Sequence, residues 1–426
     1  MTLQAGVVKI DITPPLGHPM AGCPRMQAVE GMPTDTGGYV PRECVAEGVH
    51  DPLYARVLVL SDGRRRVAFV AVDLLVVSLE FTNRLRSLVA DATGIAPGRL
   101  MVAASHTHSG PDLYHWEGTD PAVESEVLAR IRDAVVEASQ ALRPARVGWA
   151  DTALDLISIN RREAGGPIDE RVGVMRVEDE DGRVLALAVN FAIHPIAVPC
   201  TNCLYSAGIP GYTSEALERA YDGATVLFLQ GATGNINPVA FPAHPKENIV
   251  PAYRRTYHAG LPHPRTFRTA ERLGRILAAA ALQAAEQVQD LSAELPLSAR
   301  TAPVELPRKP HAEVERYCRL MNFSPLYTAR LLEREVVGSE VQVIAVGPTL
   351  YIALPGEPFV ELGLWLQEQT RPRRAYVVGY ANDDVRYVLP QSAYAQNRYD
   401  TLATPLDAGS AELLLARAHQ LVSGFS

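Results

Sequence analysis

Short apolar runs rich in valine alternate with amphipathic stretches in the N-terminal part of this chain. The runs YARVLVL (54–60) and RVAFVAVD (66–73) have the composition and the turn-bounded length of buried strands. Residues 80–95 then carry apolar side chains at helical spacing, and RLMVAAS (99–105) follows as the next strand. An alternation of strands and helices in this order predicts an α/β fold.

The same pattern continues through the rest of the 426 residues. Residues 121–142 are a predicted helix that begins at Pro121, and further helices are predicted at 267–290 and 409–422. The further predicted strands are RVGVMRVED (171–179), VLALAVNFAIH (184–194), ATVLFLQ (224–230), EVQVIAVG (340–347), TLYIALP (349–355) and RAYVVGY (374–380). No repeat or linker separates these elements, so we expect one domain over residues 1–426.

Composition and charge exclude several classes of protein. The formal net charge of -8 gives no electrostatic basis for binding nucleic acid or an anionic membrane. No apolar run approaches the roughly 18 residues of a membrane span, and the N-terminal MTLQAGVVKIDITPP lacks the basic start and apolar stretch of a secretion signal. We therefore expect a cytoplasmic protein that binds a small molecule. Whether it forms a homo-oligomer stays open.

The stretch SHTHSGP places two imidazoles, those of His106 and His108, directly after a predicted strand that ends at Ser105. In extended backbone alternate side chains share a face, so both rings can point to the same place. Ligands of α/β domains usually bind where strands end. The pair therefore predicts a functional site, with a hydrogen-bonded structural pair as the alternative.

Other predicted strands also end in residues that can bind a metal or act in catalysis. These are His194 in NFAIHP, Asn235 and Asn237 in GNINP, Glu357 in LPGEP, and Asp383, Asp384 and Tyr387 in NDDVRY. Nitrogen and oxygen ligands from distant segments, with one coordination position left open, are typical of catalytic zinc sites. The recurrence predicts an enzyme whose cofactor is Zn2+.

Several motifs occur in an order that resembles a known family. They are GVVKIDITPP, GVHDPLYARVLVL, ASHTHSGP, SINRR, NFAIHP, GNINP, LPGEP and ANDDVRYVLPQSAYAQNRYD. The chain is in this respect similar to the catalytic domain of the neutral/alkaline non-lysosomal ceramidases, zinc amidases that split N-acyl sphingosine. The resemblance implies a layered α/β sandwich of mixed β-sheets flanked by helices. It also implies a single zinc hydrolase domain over 1–426, without the C-terminal immunoglobulin-like domain of true ceramidases.

The resemblance further implies roles for individual residues. The zinc ligands of the family match four residues of this chain: His106, His194, Glu357 and Tyr387. Tyr399 matches a catalytic tyrosine, and His108 and Arg161 match residues that contact the reacting carbonyl group. Zinc in such a site polarises the carbonyl and lowers the pKa of bound water to about 7. A phenol and a guanidinium then stabilise the oxyanion.

The Gly-rich turn departs from the family's pattern. The family's turn reads G-D-x-S-P-N and its serine is the nucleophile, whereas this chain has Asn237 at that place. An amide cannot serve as that nucleophile, but it can orient a water molecule or donate a hydrogen bond to the substrate. Gly234 and Asn235 of the same turn are expected to contact substrate. His50 of GVHDP is expected to line the pocket, with a capping or structural role as the alternative.

These residues favour a zinc-dependent hydrolase of a carbon–nitrogen amide bond, open or cyclic, in a small soluble substrate, with zinc-bound water as nucleophile. Three alternatives stay open: an esterase or lactonase with the same zinc site, a true ceramidase, and a metal-bearing ligand-binding protein without activity. Substrate choice depends on loops at 16–48, 111–120 and 240–266, the last of which we expect to be ordered over the active site. The excess of arginine over lysine is typical of a GC-rich bacterial genome.

Overall fold

The computed structural model describes residues 2–22, 25–28, 39–42, 45–113, 119–198, 202–241, 263–264, 266–321, 323–396 and 398–425. Its strands are, in chain order, β1 (Gln4–Asp11), β2 (Arg25–Ala28), β3 (Tyr39–Arg42), β4 (Gly48–Val49), β5 (Tyr54–Ser61), β6 (Arg66–Val72), β7 (Leu100–Ala104), β8 (Arg143–Pro144), β9 (Arg146–Ala153), β10 (Ser158–Asn160), β11 (Arg171–Glu178), β12 (Val184–Phe191), β13 (Leu204–Tyr205), β14 (Thr225–Gln230), β15 (Ile236–Pro238), β16 (Ala240–Phe241), β17 (His263–Pro264), β18 (Leu297–Pro307), β19 (Val336–Val346), β20 (Thr349–Ala353), β21 (Glu357–Pro358), β22 (Ala375–Val378) and β23 (Tyr387–Val388).

The α-helices are α1 (Leu79–Thr93), α2 (Pro121–Gln140), α3 (Gly208–Ala220), α4 (Phe267–Glu286), α5 (His311–Met321), α6 (Pro325–Leu332), α7 (Val360–Gln369), α8 (Tyr399–Leu402) and α9 (Ser410–Ser423). Short 3-10 helices lie at Pro97–Arg99 and Gln391–Gln396. Within the described ranges, no helix has both the length and the apolar character needed to cross a bilayer.

Most strands of the described chain belong to three large mixed sheets. The first has the strand order β7-β6-β5-β1-β8, the second β14-β12-β11-β9 and the third β18-β19-β20-β22. In each sheet one neighbouring pair is parallel, namely β6 with β7, β12 with β14, and β20 with β22. The other neighbours are antiparallel. The predicted fold of mixed sheets flanked by helices is confirmed.

The three parallel pairs decide where the polar residues of distant motifs meet. Two neighbouring strands that run in the same direction both end at the same sheet edge. The chain leaves β7 toward His106, β12 toward His194 and β20 toward Glu357. The partner strands β14 and β22 lead into the turns at 231–235 and 379–386. Ligand-bearing turns therefore follow a parallel pair in every large sheet.

A central hydrophobic core joins the three sheets. It contains Leu58 and Phe69 of the first sheet, Leu227 of the second, and Ile344 and Tyr376 of the third, all of them buried. Helices cover the outer faces: α1 and α2 on the first sheet, α3 and α4 on the second, and α5, α7 and α9 on the third. Because β5, β12 and β14 are covered on both faces, their sequences are mostly apolar rather than alternating, with Arg56 and Asn190 among the buried polar exceptions.

Two elements that the sequence analysis did not predict have clear physical reasons. β18 contains Pro303 and Pro307, and it tolerates them because it is an edge strand of the third sheet. α3 contains Gly208, Pro210 and Gly211, residues that usually end a helix. Pro210 lies in the first turn of α3, where a backbone amide has no carbonyl partner within the helix.

Most of the predicted loop at 240–266, namely 242–262 and 265, lies outside the described residues.

The predicted backbone at His106 is wrong in one respect. β7 ends at Ala104 rather than at Ser105, and His106 has a φ of 63°, in the left-handed region. The two histidines of SHTHSGP therefore do not share a face through extended backbone. Their rings still reach one place, since His108 Nε2 lies 3.2 Å from His106 Nε2.

Gly173 tests the close contact between the second and third sheets. A Cβ there would lie 2.0 Å from Cε1 of Tyr376, so we expect Gly173→Ala to lower the free energy of unfolding by about 1–3 kcal/mol. Gly338→Ala is the matched control, because its Cβ would have Arg334 Nη1 as nearest neighbour at 3.6 Å. Urea denaturation measures both variants. Equal stability of the two would contradict the packing described here.

Candidate metal centre

Three histidine side chains converge beyond the ends of β7 and β12. His106 Nε2 lies 3.2 Å from His194 Nε2, and His108 Nε2 lies 3.2 Å from the former and 3.1 Å from the latter. Among the described residues these three form a group that could hold one metal ion. Three nitrogens about 2.0–2.1 Å from one ion, in tetrahedral positions, lie about 3.3–3.4 Å apart. The separation of the His106 and His194 Nε2 atoms is therefore nearly that of two imidazole ligands on one metal, and His108 Nε2 lies beside both.

Backbone carbonyls fix the orientation of two of these rings. His106 Nδ1 donates to the carbonyl oxygen of Leu75 at 2.8 Å, and His194 Nδ1 donates to that of Thr233 at 3.4 Å. A carbonyl oxygen can only accept, so each Nδ1 carries the proton and each Nε2 presents a lone pair to the group. Two lone pairs 3.2 Å apart repel each other unless a positive charge lies between them. This donor set fits a cation.

Glu357 adds a carboxylate to the three imidazoles. It lies in β21, which pairs with β23 so that Glu357 is opposite Tyr387. Glu357 Oε2 is buried, lies 3.4 Å from His106 Nε2, and has no hydrogen-bond partner in the described part of the chain. Burial of a carboxylate oxygen is costly unless a positive charge compensates it. The orphaned oxygen is a second, independent feature that fits a metal.

Two glycines let the Glu357 strand approach its neighbours. Gly356 has a φ of 65°, and a Cβ there would lie 2.3 Å from the carbonyl oxygen of Arg386. A Cβ at Gly234 would lie 2.5 Å from the carbonyl oxygen of Glu357, and Gly234 N donates to Pro358 O at 2.8 Å. Gly234, predicted to contact substrate, therefore has a packing role that holds its turn against Glu357.

Burial shapes the protonation of the group. Burial lowers the pKa of His194 well below its usual value, and the neighbouring imidazoles of His106 and His108 lower it further. The ring therefore stays neutral at neutral pH, which is the form that binds a metal. Burial raises the pKa of the Tyr387 hydroxyl well above its usual value, and the positive charge of Arg161 opposes that shift.

Arg161 and Tyr399 are tied together through Asp400. Arg161 and Arg162 both form ion pairs with Asp400, one with each carboxylate oxygen. Burial opposes the charged form of Arg161, but Asp400 and the Tyr387 hydroxyl outweigh it and raise the pKa of Arg161 well above its usual value. Burial raises the pKa of Tyr399, the residue before Asp400 in α8, to about 12. At neutral pH the site thus offers a fixed cation and a protonated phenol.

The two asparagines of the Gly-rich turn have different surroundings. The Asn235 side chain accepts from Val360 N at 2.9 Å and donates to Glu361 Oε2 at 2.9 Å, so it fastens the start of α7. Its hydrogen-bonding groups are occupied by these structural contacts. Asn237 lies in β15, and its Oδ1 is buried without a hydrogen-bond partner among the described residues. Asn237, unlike Asn235, therefore has an amide oxygen that can accept a hydrogen bond from water or substrate.

His50 lies outside the histidine group. Its ring stacks on Phe267 with centroids 3.7 Å apart, and its Nδ1 lies 2.9 Å from a carboxylate oxygen of Asp51. Asp51 also accepts from the Ser206 hydroxyl at 2.6 Å and from Ala207 N at 2.8 Å, directly before α3. These contacts are the ones expected if His50 has a capping or structural role, the alternative to lining the pocket.

Three residues near the group were not assigned from sequence. The Tyr380 ring stacks on His106 with centroids 4.0 Å apart, and the Tyr380 hydroxyl is hydrogen-bonded to that of Thr233. Asp400 joins the two arginines. Asp400 ends the motif NRYD and Tyr380 directly precedes ANDDVRY, so both lie in or beside motifs that were recognised. Their contacts could not be found from sequence because the partners are distant along the chain.

Comparison with known proteins gives a consistent result. A family model described as "Neutral/alkaline non-lysosomal ceramidase, N-terminal" matches residues 28–256, more than half of the chain. Neutral ceramidase from Pseudomonas aeruginosa is 27% identical in an alignment of 229 residues that covers 47% of this chain and 34% of that protein. Neutral ceramidase B from Dictyostelium discoideum is 24% identical in an alignment of 234 residues that covers 47% of this chain and 33% of that protein. The matched stretch thus spans about a third of the length of these curated relatives.

The fold has a counterpart among solved structures. The crystal structure of neutral ceramidase from Pseudomonas aeruginosa superimposes with a TM-score of 0.77 at 18% sequence identity. The match covers 100% of this chain and 74% of that chain. At this level of identity the likeness concerns the fold, and it supports the layered arrangement of mixed sheets and helices.

Metal content tests the ligand group directly. We expect the purified chain to carry about one divalent ion per molecule, and His194→Ala or Glu357→Ala to lose most of it, because each change removes a donor atom. His108→Ala should retain the ion, since His108 matches a residue beside the carbonyl rather than a ligand. Elemental analysis of purified protein measures all three. His419→Ala is the matched control, because His419 is exposed and its ring meets that of Trp365 edge to face. Full metal content in the His194 and Glu357 variants would contradict the assignment.

Proposed function

The chain belongs to the neutral/alkaline non-lysosomal ceramidase family, and on that premise we propose that it is a zinc-dependent hydrolase. Its substrate is a small soluble molecule whose carbon–nitrogen amide bond, open or cyclic, is cleaved by water. The observation that carries this proposal is the convergence of the Nε2 atoms of His106 and His194 beside the unpartnered carboxylate oxygen of Glu357, with His108 next to them.

The donor set suits zinc. His106, His194, Glu357 and Tyr387 would hold the ion, and such a mixture of nitrogen and oxygen ligands is typical of zinc rather than of softer metals. When bound, zinc supplies a Lewis acid that polarises the scissile carbonyl and lowers the pKa of water. The carbonyls of Leu75 and Thr233 hold the two ligating rings in the tautomer that this binding needs.

Arg161 and Tyr399 stabilise the negative charge that develops on the carbonyl oxygen. Arg161 is partly buried and held by Asp400, so its guanidinium is oriented before the substrate arrives. Tyr399 keeps its proton at neutral pH and can donate a hydrogen bond. Donors that are fixed in this way need no rearrangement as the charge forms, and removal of one such donor usually costs about 10²–10³ in rate.

His108 is the group that moves the proton. It is half-buried, whereas His106 and His194 are each 2% exposed, so it is the most accessible of the three imidazoles. In amide hydrolysis the water oxygen bonds to the carbonyl carbon while its proton passes to a base. The carbon–nitrogen bond breaks as that proton reaches the leaving nitrogen. His108 can serve in both steps.

Asn237 takes the place of the serine nucleophile that the family resemblance implies. It has no ionisable oxygen and cannot form an acyl-enzyme. Its buried, unpartnered Oδ1 is an acceptor for a water O–H or a substrate N–H. The backbone next to it is tied to the centre, because His194 N donates to Ile236 O at 3.0 Å. Direct attack by water with Asn237 as an orienting group is therefore the simplest mechanism.

A polar cleft supports a soluble substrate rather than a long-chain lipid. The cleft has a volume of about 390 Å³, and Asn160, Arg162, Glu361, Gln396 and Arg398 are among its lining residues. None of the lining residues is a proposed ligand or catalytic residue, but Arg162 pairs with Asp400, the carboxylate that also holds Arg161, so the cleft lies next to that ion pair. Ceramide is the second candidate substrate, because the similar proteins of known name are neutral ceramidases.

Asn237→Ala tests the mechanism. We expect turnover to fall roughly ten- to a thousandfold, the range for loss of one orienting or oxyanion hydrogen bond. Intact-protein mass spectrometry of rapidly quenched reactions should find no covalent adduct in either the wild type or the variant. An adduct of acyl mass on a residue of the site would overturn the direct attack by water.

A substrate panel tests the proposed class. We expect the zinc-loaded chain to hydrolyse at least one water-soluble amide or lactam faster than long-chain ceramide, because the lining of the neighbouring cleft is polar. Soluble esters and lactones in the same panel separate an amidase from an esterase. Faster cleavage of ceramide than of every soluble compound would show that the chain is a ceramidase. A zinc-loaded chain inactive on all of them would remove the hydrolase proposal.

A further inference from the structure

Tyr380 is a fully buried residue in an uncommon backbone conformation. Its side chain is 0% exposed, and its φ is 54°, in the left-handed region. For a residue other than glycine this conformation is sterically unfavourable. Such backbone persists only where surrounding contacts hold it, and it is concentrated at functional sites.

The first set of contacts joins Tyr380 to His106. The two rings stack with centroids 4.0 Å apart and an interplanar angle of 28°. Tyr380 O also accepts from Ala104 N at 3.0 Å, at the end of β7 and two residues before His106. His106 is itself left-handed, with a φ of 63°, and Tyr380 thus contacts both its ring and the backbone two residues before it.

The second set of contacts joins Tyr380 to the other ligands. Its hydroxyl is hydrogen-bonded to the Thr233 hydroxyl, and the carbonyl of Thr233 accepts from His194 Nδ1 at 3.4 Å. Tyr380 N donates to Gly356 O at 2.9 Å, in the residue directly before Glu357. Through its side chain and its backbone N–H and carbonyl groups, Tyr380 thus contacts the segments that supply three of the proposed metal ligands.

We propose that Tyr380 is a positioning residue that sets the metal affinity of the centre. This inference rests on the proposed metal site. The stacked ring limits rotation of His106, and the hydroxyl holds the Thr233 segment at the distance that lets its carbonyl orient His194. Without these restraints the ligands have to be ordered when the ion binds, and that loss of conformational entropy weakens binding. Loss of a group that orients a ligating histidine typically costs 10–100-fold in affinity.

Two variants separate the contribution of the Tyr380 ring from that of its hydroxyl. Tyr380→Phe keeps the ring and removes the hydroxyl, so it isolates the bond to Thr233. Tyr380→Leu removes the stacked ring as well. Tyr351→Phe is the matched control, because Tyr351 is 1% exposed and its hydroxyl accepts from Trp149 Nε1 at 3.0 Å, within the same central core as Tyr376. The control loses an equivalent buried hydroxyl without touching the ligand segments.

Zinc affinity is measured by competition with a chelator on the full-length apo chain, and the visible spectrum of the cobalt-loaded chain reports ligand geometry. Melting of the apo chains measures general destabilisation. We expect the dissociation constant for zinc to rise about tenfold for Tyr380→Phe and about a hundredfold for Tyr380→Leu. The control should keep the wild-type constant and cobalt spectrum.

The outcomes are distinguishable. If the wild type binds no zinc, the proposed metal site itself fails. If the wild type binds zinc and Tyr380→Phe changes affinity no more than Tyr351→Phe, the inference is overturned. Should Tyr380→Leu fail to fold, Tyr380→Phe still decides the matter. An altered cobalt spectrum together with weaker zinc binding, at an apo melting temperature equal to that of the control, supports a positioning role.

Discussion

Three parallel strand pairs, one in each large sheet, carry the turns that form the candidate site. Antiparallel neighbours end at opposite edges, so a sheet built only of hairpins would place successive strand ends on opposite sides of the molecule. The pairs β6–β7, β12–β14 and β20–β22 instead direct strand ends to one edge. Because the three sheets share the central core, those edges lie together, and a residue at the end of β7 meets one that follows β12.

The convergence creates an electrostatic problem that a bound cation would resolve. Two imidazole lone pairs and a buried carboxylate oxygen face the same small space, and each of them is taken out of water. Neutralisation by protonation is opposed at His194, whose pKa burial and neighbouring imidazoles lower. Arg161 is already bound to Asp400. A divalent ion would account for the arrangement, and the proposed hydrolase chemistry depends on it.

Much of the fold and the ligand types could be predicted from sequence, because valine-rich runs and the polar residues after them are local signals. SHTHSGP and NFAIHP predicted the three histidines of the group in this way, and LPGEP predicted the carboxylate. The left-handed backbone of His106 could not be predicted, since it depends on Leu75 and Tyr380, which contact it only in the folded chain.

The role of Asn235 shows the same limit. Its sequence position suggested a substrate contact, but its amide binds Glu361, which lies 126 residues along the chain. A backbone carbonyl such as that of Leu75 has no side-chain signature at all, so the groups that orient the ligands are the hardest to read from sequence. The sequence identifies the candidate ligand atoms. Which of these atoms lie close together depends on contacts that form only in the folded chain.

The central claim is that donors from the three sheets share one ion. Anomalous scattering at the zinc absorption edge, from crystals of the zinc-loaded chain, locates the ion without reference to activity. We expect one dominant peak that lies about 2.0–2.2 Å from three atoms: the Nε2 atoms of His106 and His194 and a carboxylate oxygen of Glu357. A fully occupied zinc site elsewhere in the chain, with no peak between these three residues, would contradict it.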